Sequence, residues 1–116
     1  MFNRIACVVN PAAGSGRLGE TIEHIRRIFL SKGVRLSVEE SRSAAHATQS
    51  ARELASEHEV VVAVGGDGTV NHVVNGLVGS NAALAVIPTG SGNDFASLLG
   101  MPKERELACD AILHGK

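Results

Sequence analysis

Ile5 to Val9 is an apolar run closed by Asn10-Pro11, the pattern of a buried strand running into a loop. Leu18, Ile22, Ile25, Ile28 and Phe29 then recur at helical spacing, and Gly33 supplies a stop. Val34, Leu36 and Val38 alternate with Arg35, Ser37 and Glu39, which predicts a half-exposed strand near a sheet edge. Ala47, Ala51, Leu54, Ala55 and His58 share one face of a second helix, with Ser43 placed to cap its start. Val60 to Val64 is apolar at every position, as expected of a central parallel strand covered on both faces. Beyond Gly65–Gly66–Asp67–Gly68 a third helix carries Val70, Val73, Val74, Leu77 and Val78. Leu84 to Ile87 predicts a fourth strand, followed by a helix over Asn93 to Leu99 and another over Lys103 to Leu113.

Strands alternating with helices predict an α/β domain, an open parallel sheet with helices on both faces and right-handed crossovers. The chain has 116 residues, enough for one such domain. Eleven Lys and Arg against twelve Asp and Glu leave a net charge of -1, and aromatics make up 3%. Neither a basic footprint nor a base-stacking platform is present, so no nucleic-acid partner is expected. Every apolar run falls far short of the ~20 residues that span a bilayer. The N-terminus does not read as a signal peptide, and two cysteines make no disulfide framework, Cys7 reading as a small buried hydrophobe. A cytoplasmic domain is the expectation. The five histidines show no metal-ligand spacing.

Charge is distributed unevenly. From Val60 to Pro102, 43 residues carry two charges, Asp67 and Asp94, together with eight of the thirteen glycines. Three glycine-rich segments follow strands and precede helices: Asn10 to Gly16, Gly65 to Thr69, and Pro88 to Asp94. Glycine lets backbone N–H groups approach an anion, and a helix start adds positive potential. In open parallel sheets ligands bind beyond the carboxyl ends of the strands, so three such loops on one edge predict a phosphate-binding site. Gly14, Gly16 and Gly19 also satisfy GxGxxG, with Glu39 and Glu40 about 20 residues on, which keeps an NAD-type dinucleotide domain open as an alternative. Four residues between strand and first glycine fit that alternative poorly, and no GK[ST] follows to make a Walker A loop. Asp67 has two readings, a ligand of Mg²⁺ or a turn residue. Asp94 has two as well, a site residue or, with Asn93, a helix cap.

Gly65–Gly66–Asp67–Gly68–Thr69 with Asn71, then Pro88 to Ala96, resembles the catalytic domain of the diacylglycerol kinase family of lipid kinases. Asn10-Pro11 with Gly14-Ser15-Gly16, and Leu99 to Pro102, resemble further motifs of that family in the same order. The resemblance implies a Rossmann-like fold akin to the N-terminal domains of NAD kinases and phosphofructokinases. It implies ATP and Mg²⁺ as cofactors, with Asp67 toward the metal. It also implies a nucleotide site made by Asn10, Pro11, Gly14, Ser41, Gly65, Gly66, Asp67, Gly68, Thr69, Asn71, Ser91, Asn93 and Asp94. Residues 1–116 would be the ATP-binding half of a kinase acting on a diacylglycerol-like lipid. A β-rich second domain, absent here, would complete the lipid site and supply the general base, so no catalytic residue is assigned within the chain. Alone, the chain is expected to bind nucleotide without turnover, which leaves a non-catalytic nucleotide-binding module as a further alternative. Peripheral membrane contact and a homo-oligomer are both compatible with the resemblance. One position departs from it: bacterial members carry Glu in GGDGTxNE where this chain has His72.

Overall fold

The computed structural model describes residues 2–11, 18–88 and 105–114. Four strands and four helices alternate in it. They are β1 (Ile5–Val9), α1 (Leu18–Ser31), β2 (Leu36–Glu40), α2 (Ala44–Ala55), β3 (Val60–Gly65), α3 (Asp67–Leu77), β4 (Ala83–Pro88) and α4 (Arg105–His114). The strands form one sheet in the order β2-β1-β3-β4, every pair parallel. Successive side chains of a strand point to opposite faces, and both faces are filled. Ile5, Cys7, Val9, Val60, Val62, Val64 and Ile87 pack with Ile25 and Phe29 of α1 and Cys109, Ile112 and Leu113 of α4. Val8, Val61, Ala63 and Val86 pack with Ala47, Ala51 and Ala55 of α2 and Val70 and Val73 of α3. The fold is therefore the expected parallel α/β sandwich, with β2 at one edge and β1 and β3 inside.

Several local signals act as the sequence predicts. Ser43 caps α2, its Oγ accepting the His46 N–H at 3.1 Å. Gly33 takes φ +82° after α1, a conformation that only glycine adopts readily. Others differ. The sequence pattern carries α3 on to Val78, but the helix ends at Leu77; Val78 is its C-cap, 76% exposed, and Gly79 follows at φ +83°. His58 was expected on α2, but α2 stops at Ala55; the imidazole folds back, with Nδ1 2.9 Å from the Leu54 carbonyl oxygen. Asp67 was placed in the loop and is instead the first residue of α3. The helix expected over Asn93 to Leu99 lies outside the described residues.

Sheet order fixes where a ligand can enter. From β1 the chain first passes to β2 on one side; β3 and β4 are then added on the other. The crevice between neighbouring strands whose connections leave in opposite directions opens at the carboxyl ends of β1 and β3.

Candidate functional site

Asn10 and Pro11 leave β1 at this crevice, and the Asn10 N–H donates to the Val64 carbonyl of β3 at 3.4 Å. On the other flank the Ser41 N–H donates to the Val9 carbonyl at 2.8 Å. The ends of β2, β1 and β3 are thus tied side by side. A cleft of about 310 Å³ lies over them, lined by Asn10, Pro11, Ser41, Arg42, Ser43, Ala44, Ala47, Gly68, Thr69 and His72. Five of the expected site residues (Asn10, Pro11, Ser41, Gly68 and Thr69) therefore share one cavity, although 59 positions separate the first from the last. Ser41 and Thr69 are buried there, which sets two hydroxyls below its surface.

Each glycine of the β3–α3 turn has a different reason to be glycine. Gly65 has φ +156°, and a Cβ on it would lie 2.7 Å from Thr69 Oγ1. Its backbone and the buried threonine occupy the same corner. Gly66 is the N-cap of α3, in an extended conformation open to any residue, and provides no side-chain cap. A Cβ at Gly66 or at Gly68 would meet nothing within 4 Å. Nothing within the described residues requires glycine at either position, so both leave open the space from which an anion could approach the first N–H groups of the helix. Asp67 stands between them, exposed. A carboxylate in the first turn also favours the helix dipole.

The remaining expectations divide between placed and undescribed residues. Asn71 lies exposed on α3, two residues beyond Thr69, and does not line the cleft. Gly14, Ser91, Asn93 and Asp94 lie outside the described residues. Glu39 and Glu40, the acidic pair of the dinucleotide alternative, line a second groove of about 860 Å³ with Gly19, Ile22, Glu23 and Arg26. That groove meets the cleft at Pro11, Ser41 and Arg42. Sequence reasoning missed Arg42, Ser43 and the inward placement of His72 as cleft walls. The first two follow directly after Ser41, so the strand end carried the signal. His72 lies one turn beyond Gly68 on the same helix.

Among the described residues no group of three or more His, Cys, Asp and Glu side chains could hold a metal ion. Nor is any helix there long and apolar enough to cross a membrane.

Comparison with known proteins identifies relatives of the chain and of its fold. The chain is 37% identical to the diacylglycerol kinase of Bacillus subtilis (strain 168) over 118 aligned residues, covering 98% of itself and 39% of that protein. It is 31% identical to the diacylglycerol kinase of Staphylococcus saprophyticus, over 99% of itself and 39% of the relative. It thus spans about two fifths of the length of these curated relatives. A crystal structure of a diacylglycerol kinase from Bacillus anthracis str. Sterne superposes with a TM-score of 0.84 at 32% identity, over 99% of this chain and 43% of that one. The solution structure of a phosphate-loop protein shares the fold at a TM-score of 0.57 and 16% identity. The model of the diacylglycerol kinase catalytic domain matches residues 4–116, and the chain belongs to that family.

Proposed function

We propose that the chain binds Mg-ATP in the cleft at the β1/β3 switch point, as the nucleotide-binding part of a lipid kinase. The observation that carries the reading is the pair Gly66 and Gly68, glycines that neither conformation nor internal packing requires, at the start of a helix beside the cleft. A polyphosphate would accept from the N–H groups at the head of α3, with the Ser41 and Thr69 hydroxyls, Asn10 and Arg42 around it. Phosphoryl transfer relies on positioning and on stabilising charge, and these groups can do both. Asp67 fits Mg²⁺. That ion keeps several waters and needs only one or two carboxylates beside the nucleotide's phosphates, so one exposed carboxylate suffices. Bound there, the metal would neutralise phosphate charge.

The acceptor is proposed to be the hydroxyl of a diacylglycerol-like lipid, following what the relatives are named for. A lipid site and a general base are proposed for the part of a whole protein that corresponds to the rest of the relatives' length. The dinucleotide reading retains one supporting observation, Glu39 and Glu40 beside a groove at the end of β2. Calorimetric titration of this chain separates the two. Mg-ATP is expected to bind and NADH not to; the reverse result would sink the kinase reading. Asp67→Ala should weaken Mg-ATP at least tenfold in a chain that still folds; the helix dipole alone contributes about 0.3–1 kcal/mol to its stability cost.

A further inference from the structure

We infer that His46 is a positioning residue whose neutral imidazole holds the Ser41–Ser43 wall of the cleft in the shape that receives an anionic ligand. The inference rests on the nucleotide reading above and adds a residue that does not line the cleft. Two hydrogen bonds at the start of α2 carry it. The His46 N–H donates to Ser43 Oγ at 3.1 Å, and the Arg42 N–H donates to His46 Nδ1 at 2.9 Å. The pair resembles a capping box, Ser-x-x-Glu/Gln, in which the third helical residue reaches back to a backbone N–H ahead of the helix. Here a histidine takes that place and reaches one residue further, to Arg42.

Because Nδ1 accepts a backbone N–H, the neutral ring carries its proton on Nε2. Nε2 lies 3.3 Å from Ser50 Oγ and 3.9 Å from Glu39 Oε1 on β2. A second proton would have to go on Nδ1, where it would face the Arg42 N–H, donor against donor. The hydrogen bond would then be lost. Arg42 and Ser43 line the cleft themselves, and Ser41 is tied to β1 through the Val9 carbonyl. Losing the Arg42 hydrogen bond therefore loosens the wall between two fixed points. Of the charged and titratable groups nearby, Glu39 of β2 faces the imidazole, Arg42 belongs to the wall it braces, and His72 lines the cleft from α3.

The test uses the 116-residue chain, NMR and Mg-ATP titration from neutral pH into acid. Without nucleotide, the Arg42 amide signal should follow the titration of the His46 ring. Mg-ATP affinity should fall in the same interval, by about fivefold, the size of one lost hydrogen bond. His46→Ala should show the weaker affinity at every pH. His46→Gln, which keeps an acceptor and cannot titrate, should bind like the wild type at neutral pH and lose the extra acid weakening.

An Arg42 amide that ignores the ring, or a His46→Ala protein that folds and binds Mg-ATP as tightly as wild type, overturns the inference. So does an acid weakening of the same size that persists in His46→Gln, since it would then not come from the His46 ring. A wild type that binds no Mg-ATP at any pH overturns the nucleotide reading, and this inference's ligand with it. That failure is distinct because the Arg42 signal would still follow the ring.

Discussion

At the scale of single residues, glycine conformation and charge each lead to a measurement. Gly65, Gly66 and Gly68 lie within four positions but answer to different constraints. Gly65→Ala forces a Cβ against Thr69 Oγ1 at a φ that L-residues avoid, and should cost about 1–3 kcal/mol in urea unfolding. Gly66→Ala meets open space and should cost no more than about 1 kcal/mol, because alanine is a poor N-cap. Gly68→Ala, inside the first turn, should stabilise by up to about 1 kcal/mol. Both of the latter should nevertheless weaken Mg-ATP at least tenfold; affinity surviving in two well-folded variants would remove the helix start from the site. Glu59 shows the same logic for charge. Its Oε1 accepts the N–H groups of Asn3 at 3.0 Å and Arg4 at 3.1 Å, which hold the carboxyl below its ordinary value of 4.5, against a smaller upward push from burial. A lowered folded-state value stabilises the fold above the unfolded value and stops doing so as pH falls through the lowered one. Acid titration of stability should therefore show a loss below about pH 4.5 that Glu59→Gln removes. An identical acid profile in the variant would show that the two hydrogen bonds contribute nothing.

At the scale of elements, α2 and α3 pack with their backbones close together at Gly76. A Cβ on Gly76 would run into the Thr48 carbonyl oxygen and lie 2.8 Å from Ala51 Cβ. Beside it the Thr48 hydroxyl donates to the His72 carbonyl at 2.9 Å. The atoms a Cβ would meet are the α2 backbone at Thr48 and Arg52 and the methyl of Ala51, so none of them can rotate away. Overpacking costs about 1–3 kcal/mol, while replacing a helical glycine by alanine returns about 1 kcal/mol. The clash is against backbone and so lies toward the upper end of that cost; Gly76→Ala should be net destabilising by up to about 2 kcal/mol in urea. Gly68→Ala on the same helix has the opposite sign and serves as its control. This contact also marks how far the chain could be read unaided. The apolar patterns located the first seven described elements, the last helix follows from its position after Pro102, and Ser43 and Gly33 announced their own termini. Period alone does not report the distance between two helices, so Gly76 reads as a weak point in α3 until Ala51 is placed against it. Val78 failed for a related reason: it continues the apolar period, but the Gly79 stop overrides it.

At the scale of the molecule, the sequence offers three glycine-rich segments, of which Gly65 to Thr69 lies wholly within the described residues. What the loops did not reveal was sheet order. Only with β3 beside β1 do Ser41 and Thr69, from opposite sides of the switch point, come to share a cleft. His46 was hidden because its role depends on a ring nitrogen facing a backbone N–H, which no spacing rule states. The same order buries Cys7 on β1 with β2 and β3 on either side, against a core shared with Cys109 of α4. Burial pushes the Cys7 thiol up to about 12; Arg26 pulls the other way and Cys109 adds to the rise. A thiol reagent at pH 8 should thus find neither thiolate nor access in the native chain. Exposing Cys109 requires only that α4 leave, whereas exposing Cys7 requires the sheet to come apart. In a Cys109→Ser variant the labelling of Cys7 should therefore track global unfolding, accelerating with urea at the equilibrium slope. A ligand that binds only the folded chain, present at a hundred times its Kd, adds about 2.7 kcal/mol to that opening. Mg-ATP at such a concentration should slow Cys7 labelling about a hundredfold, read by intact-mass spectrometry. Unchanged labelling in the presence of saturating bound nucleotide would mean that Cys7 is reached by a local opening of the sheet that leaves the nucleotide cleft intact.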